Sequence, residues 1–252
     1  EGGDQAALVR AAGRDRVELV NLDNIRHSSA PLPAAPSRDA KTSWGQPQWT
    51  LAVTDLAYVD GELWVAGLSN EQFASALRRV PFPFGKASAI TSVEIFHTSH
   101  NRWETASPIT SFLPLSLNGT PSLLAGYGCS PIATFTRADL KKGGHLRGRT
   151  VAELGGGNQP VDMVQYQNKG KSWILIANSD RTLMRFDPSE IAGAPAMTKG
   201  VDEAYQAGGV GFLAISGAGI MRLAEMPEGI AILRRDIESG AVEVGYYRKE
   251  WL

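Results

Sequence analysis

Short apolar runs broken by glycine turns dominate the chain, and they recur with a regular spacing. Thr54–Val59 is followed by Asp60-Gly61 and then by the continuous apolar run Leu63-Trp64-Val65-Ala66-Gly67. A two-residue Asp-Gly step between apolar runs signals a β-hairpin, because both turn positions need positive φ. An unbroken apolar run of this length suits a strand buried on both faces. Leu77–Val80 and the alternating Ser92–Phe96 supply a third and a fourth strand. The same order returns in Ser111–Leu115, Asn118-Gly119, Ser122–Gly126, Ile132–Phe135 and Thr150–Leu154. It returns again in Val161–Tyr166, the turn Asn168-Lys169-Gly170, Trp173–Ala177, Thr182–Phe186 and Val210–Ile215. A last unit reads Ile220–Ala224, Glu228-Gly229, Ile230–Leu233 and Ala241–Tyr246.

The turn glycines Gly61, Gly119, Gly170 and Gly229 are 58, 51 and 59 residues apart, and 58 residues before Gly61 stands Gly3. A β-rich period in this range predicts an all-β fold, a β-propeller with blades of about 55 residues. Five repeat units are wholly or partly present, in one domain spanning residues 1–252. The first unit offers Ala6–Ala12 and Arg16–Leu22 as second and third strands, with no inner strand ahead of Gly3. The last stops soon after its third strand. Two readings follow: a five-bladed ring with an incomplete closing blade, or a ring completed by another polypeptide. The second is preferred, because an inner strand left unpaired exposes a row of backbone donors and acceptors. A second chain from the same precursor is therefore an expected partner.

The strand–glycine turn–strand–strand layout, with Gly156-Gly157-Asn158-Gln159-Pro160-Val161-Asp162 leading into an inner strand, resembles the broad group of YVTN-type, NHL-type and amine-dehydrogenase-heavy-chain-type propellers. The resemblance covers nearly the whole chain and is architectural.

Composition narrows the function classes. The 252 residues are 43% hydrophobic and 20% charged, with a formal net charge of −1, which lacks the basic footprint of a nucleic-acid binder. The one basic cluster, Lys141, Lys142, His145, Arg147 and Arg149, reads as a solvated loop between strands. No apolar run reaches the roughly 20 residues that span a bilayer, so no membrane span is expected. Cys129 is the single cysteine, which rules out an internal disulfide and leaves a bridge to another chain or a buried thiol. Since Glu1 is no initiator methionine, a processed, exported chain is expected, periplasmic or secreted. Residues 27–48, rich in Pro, Ser and Ala, form a long inserted loop that is either functional or a plain surface insertion.

Candidate chemistry is sparse. Ligands of a ring of blades gather where inner strands begin, which selects Asp55, Thr110, Ser111 and Asp162 as a ligand-binding set. The two carboxylates could instead lock blade to blade through backbone amides. His97 and His100, three apart after a strand, with His27 as a third nitrogen and Cys129 as a thiolate, form a candidate metal set for copper or zinc, while a calcium-class cation would suit the two aspartates. Cys129 as a nucleophile needs an adjacent histidine that the local sequence does not supply. Gly155-Gly156-Gly157 is a turn, since no helix follows it to cradle a phosphate. Trp64 and Trp173 read as blade core; Trp44, Trp49 and Trp103 lie at loop edges. Two function classes remain: a binding or assembly subunit with its ligand at the central funnel, or an enzyme, either the large subunit of a periplasmic oxidoreductase or a metal-dependent lactonase-like hydrolase.

Overall fold

The computed structural model describes residues 8–11, 16–140, 144–201, 203 and 205–252. The chain divides into two units, Glu1–Pro31 and Leu32–Leu252. In the first, β1 (Val9–Ala11) pairs antiparallel with β2 (Val17–Leu19), and Val9 and Leu19 are exposed. Ala6, Ala7 and Ala12 of the expected second strand lie outside the described residues, as do Lys141 and Lys142.

The larger unit is all-β, with one six-residue α-helix, α1 (Pro188–Gly193), among the described residues. Its first sheet contains β3 (Asp55–Val59), β4 (Glu62–Leu68), β5 (Ser75–Pro81) and β6 (Ala89–His97), and β7 (Arg102–Glu104) folds back on the end of β6. The second contains β8 (Ile109–Leu117), β9 (Thr120–Tyr127) and β10 (Pro131–Thr136), then β12 (Arg149–Glu153). Between β10 and β12, β11 (Gly144–Arg147) crosses to the first sheet and runs parallel to β6. The third contains β13 (Pro160–Asn168), β14 (Lys171–Asn178) and β15 (Leu183–Phe186). β16 (Gly208–Gly209) pairs with β12, and β17 (Leu213–Ile215) closes the third sheet. The fourth contains β18 (Ile220–Met226), β19 (Gly229–Arg235) and β20 (Val242–Arg248).

The sequence-expected strand Val210–Ile215 is thus split. Gly208–Gly209 edges the second sheet, residues 210–212 are not strand, and only Leu213–Ile215 is the fourth strand of the third sheet. The basic stretch around residue 145 is likewise strand rather than loop where it is described. Arg147 and His145 pair with the buried Glu94, and Arg149 donates to the carbonyls of Ile191, Ala192 and Ala194.

Three of the four glycine turns have the expected geometry. Asp60-Gly61, Asn118-Gly119 and Lys169-Gly170 all carry positive φ, at 48 and 84°, 48 and 79°, and 50 and 75°. The fourth differs, since the turn is Pro227-Glu228 and Gly229 already pairs with Met226. There glycine answers a packing demand, because a Cβ would strike the carbonyl oxygen of Tyr247 and the ring of Tyr246.

Burial explains why second strands lack alternation. Leu123 and Ala125 of β9 pack with Trp64, Ala66, Leu77 and Ile95 of the first sheet. Leu124, between them, packs with Ile174, Ile176 and Phe186 of the third. Ile174 and Ile176 of β14 face back, while Leu175 and Ala177 face Ile220, Ile230 and Ile232 of the fourth. The core is therefore a series of apolar layers, each shared by consecutive sheets. Strands between two layers must be apolar on both faces.

Candidate functional site

The turn after β6 builds the site. His97 ends the strand, and a tight turn follows in which the N–H groups of His100 and Asn101 donate to the carbonyls of His97 and Thr98. Asn101 takes φ of 50°, the left-handed conformation that Asn tolerates, and the chain returns as β7. In the register of that hairpin Glu104 lies opposite Ile95, diagonal to His97 on the same face. The buried His97 donates from Nδ1 to Glu104 Oε2 at 2.7 Å, and His100 donates from Nδ1 to Glu104 Oε1 at 2.7 Å. Arg102 Nε adds a third bond to Oε1 at 3.0 Å. One carboxylate thus holds two imidazoles by the same nitrogen, with ring centroids 3.9 Å apart.

Cys129 comes from the second sheet, in the turn between β9 and β10. Its φ is 90°, a conformation that costs a non-glycine residue free energy and persists where surrounding structure imposes it. One ligating atom each of His97, His100 and Cys129 lie within 4.8 Å of one another. With both Nδ1 atoms committed to Glu104, Nε2 is the nitrogen each ring has left, and Ser99 Oγ sits 2.9 Å from that of His97.

The electrostatics follow from this packing. Burial opposes charge on His97, but hydrogen bonds to Cys129 and Glu104 outweigh it and raise its pKa to about 9. Burial alone would raise Glu104, yet the bonds from His97 and His100 hold it at about 2. The hydrogen bond from His97 lowers the Cys129 thiol against the opposing effect of burial, with help from the N–H of Gly157. His97 and Cys129 thus each favour the other's charged form, and a thiol ligates or attacks as its thiolate.

A cavity of about 620 Å³ opens in front of these residues. Trp44, Gln46, Leu51, Trp103 and Pro108 line it beside His97, His100 and Cys129. Part of the Pro-rich segment therefore forms a wall of the site. Arg78, fully buried, holds that segment by donating to the carbonyls of Pro33 and Ala34, and also to those of Ala52 and Leu68.

The other expected site residues go elsewhere. Thr110 lines the cavity but donates to the carbonyls of Pro160 at 2.7 Å and Gly126 at 3.2 Å. Asp55, Ser111 and Asp162 occupy matching positions on β3, β8 and β13, opposite Ala66, Gly126 and Ala177. Asp55 accepts the N–H groups of Leu56 and Phe112, and Asp162 those of Met163 and Leu223. Ser111 lies beside Asp55, and the charges of Asp55, Asp162 and Arg222 act on one another. The contacts of both carboxylates are thus mainly to backbone amides. His27 lies in the N-terminal unit, with Nδ1 3.4 Å from the carbonyl of Ile25, and the site is described without it. Glu104 was not foreseen; the spacing His97-x-x-His100-x-x-x-Glu104 around a left-handed Asn is the signal that points to it.

No protein-family model matches this chain, and no curated protein is similar to it in sequence.

Proposed function

We propose that the chain is a metal-dependent enzyme on a propeller-type scaffold, with His97, His100 and Cys129 holding one zinc-class ion at the floor of the cleft. The observation that carries this reading is the single Glu104 gripping Nδ1 of both histidines. A carboxylate behind a ligating imidazole fixes its tautomer and orientation and raises its basicity. A catalytic His needs one such partner; two imidazoles held by one carboxylate beside a thiol make sense as a donor set. Donors around a tetrahedral zinc, about 2.0–2.3 Å from the ion, lie roughly 3.3–3.8 Å apart, so the three groups need close by only about 1 Å. Two nitrogens and a thiolate suit zinc or copper and disfavour calcium, which takes oxygen ligands. Three protein donors facing an open cleft leave a position for water or substrate, the arrangement of catalytic rather than structural zinc. Such an ion supplies Lewis acidity and a bound water of lowered pKa. The chain's own part is to present the donors deprotonated or singly protonated, to shield them, and to offer the Trp44 and Trp103 walls to a substrate. This favours the hydrolase reading over a purely assembling subunit.

The propeller reading rests on the inner strands. Thr54 bridges β3 to β8 at the Ile109 carbonyl, Thr110 bridges β8 to β13, and the two aspartates bridge onward in chain order. Exposed Leu56 and Tyr58 on β3, and Val242 and Val244 on β20, offer apolar surface to a further blade, whichever polypeptide supplies it.

A second reading has one observation in its favour, the His97–Cys129 pair backed by Glu104, which is also the layout of a thiol nucleophile and its base. One experiment separates the two. Cys129 is the chain's single cysteine, so thiol titration reports the site alone. The metal reading expects one equivalent of zinc, protection of the thiol from iodoacetamide by that zinc, and loss of both binding and protection in His100→Ala. A thiol that alkylates rapidly at neutral pH with or without zinc overturns it in favour of the nucleophile.

A further inference from the structure

The cleft wall carries a second signal, concerning what it would bind, and this inference rests on the metal reading just given. Glu104 is the single carboxylate among the described residues lining the cavity, and its two oxygens are taken up by His97, His100 and Arg102. An anion entering the cleft therefore meets no unpaired negative charge. Arg102 spends Nε on Glu104 while its side chain stays 69% exposed, and the terminal nitrogens of a guanidinium form a fork suited to a carboxylate. With a divalent ion in place and both histidines neutral, the ion and Arg102 outweigh Cys129 and Glu104 by one positive charge.

The rest of the wall is aromatic. Trp44 is 57% and Trp103 40% exposed, and both line the cavity. Both are held in place. Trp44 Nε1 donates to Gln46 Oε1 at 3.3 Å, and Trp103 is fixed between Arg147, 4.8 Å from its ring, and Phe96. Exposed indoles beside a guanidinium form a surface that stacks a flat ring and pairs its charge.

We propose that this cleft takes a small aromatic carboxylate, its ring against Trp44 and Trp103 and its carboxylate toward Arg102. The test uses tryptophan fluorescence and equilibrium dialysis with 2-naphthoate, against cyclohexanecarboxylate as an anion without an aromatic ring and 2-naphthalenemethanol as an aromatic without charge. Each is run on zinc-loaded and metal-free protein, with zinc content measured on the same samples. Naphthoate is expected to bind at least about tenfold tighter than either control, a difference near 1.4 kcal/mol. Trp44→Ala and Arg102→Gln should each remove that preference, the first through the ring and the second through the charge. Equal binding of all three probes, no binding, or a preference that survives both substitutions overturns the proposal. Protein that takes up zinc without preferring naphthoate sinks this inference and leaves the metal centre standing. Protein that prefers naphthoate yet takes up no zinc does the reverse.

Discussion

Asp162 reaches across the gap between two sheets to accept, through Oδ2, the backbone N–H of Leu223 at 2.7 Å. Asp55 makes the matching bond to Phe112 one repeat pair earlier, also at 2.7 Å. The two carboxylates singled out in the sequence as ligands are joints between the first strands of neighbouring sheets.

Removing either joint leaves an N–H on the neighbouring sheet's first strand without its acceptor, along with the N–H of the residue after the aspartate. Asp55→Ala and Asp162→Ala are each expected to destabilise the fold by about 1–3 kcal/mol, the cost of orphaned partly buried donors. Urea denaturation measures this; losses below about 0.5 kcal/mol in both would argue for a binding role instead.

Asp162 should also leave a pH signature. Burial raises its pKa to about 6, against the opposing bonds from Leu223 and Met163 and the charge of Arg222. A folded-state value above the ordinary 3.8 means the folded chain holds the proton more tightly than the unfolded chain between about pH 4 and 6. The stability this group contributes is full below pH 4 and is lost as pH rises through 6. The stability difference between the native chain and Asp162→Asn should therefore shrink from pH 4 to pH 7. A difference constant across that range, or growing with pH, would contradict the assignment.

Arg78 anchors a cleft wall from inside the protein. It is fully buried, and burial lowers its pKa to about 10. A lysine there cannot span four carbonyls. Arg78→Lys should cost about 2–4 kcal/mol. It should also open residues 32–48 to trypsin after Arg38 or Lys41, while the native chain resists. Equal cleavage rates would separate the loop's order from this residue.

Glu104→Gln keeps the size of the side chain but offers one oxygen where two histidines need acceptors. Zinc affinity should fall about 10–100-fold, the usual cost of losing the group behind a ligating imidazole. An unchanged zinc isotherm would remove Glu104 from the site.

Cys129 holds a φ of 90°, which glycine accepts more readily. Cys129→Gly should be more stable than Cys129→Ala by about 1 kcal/mol, read from thermal unfolding. The reverse order would show that the turn imposes no strain.

Much of this architecture is legible in the chain. Asp60-Gly61 and Asn118-Gly119 announce their hairpins because positive φ leaves few residue choices. The unbroken runs of β4, β9 and β14 announce burial on both faces. Gly229 misleads by one residue, since a glycine required for close packing against Tyr247 reads the same as one required by a turn. Crossings of single strands between sheets, as in β11 and β16, follow from tertiary pairing that local pattern does not encode. The site is only half legible. His97, His100 and Cys129 could be named, but their meeting depends on two sheets aligning, and Glu104 joins them only once β7 folds back along β6. Asp55 and Asp162 show the converse. Their type fits a ligand, while the N–H groups that claim them stand 57 and 61 residues away.

The origin of the donors in different sheets has a mechanical side. His97, His100 and Glu104 arrive on a hairpin of the first sheet, and Cys129 on a turn of the second, so an ion held by the two histidines and Cys129 would tie neighbouring sheets together. Occupancy then becomes a cross-link between folding units, one whose strength is set by metal supply. At an ion concentration 100 times the dissociation constant it adds about 2.7 kcal/mol against any opening that parts the sheets. Hydrogen exchange along the β9–β10 turn would then slow with zinc, while exchange in the distant sheet of β18–β20 would lag behind. Loading the centre would decide how nearly the first two sheets behave as one body.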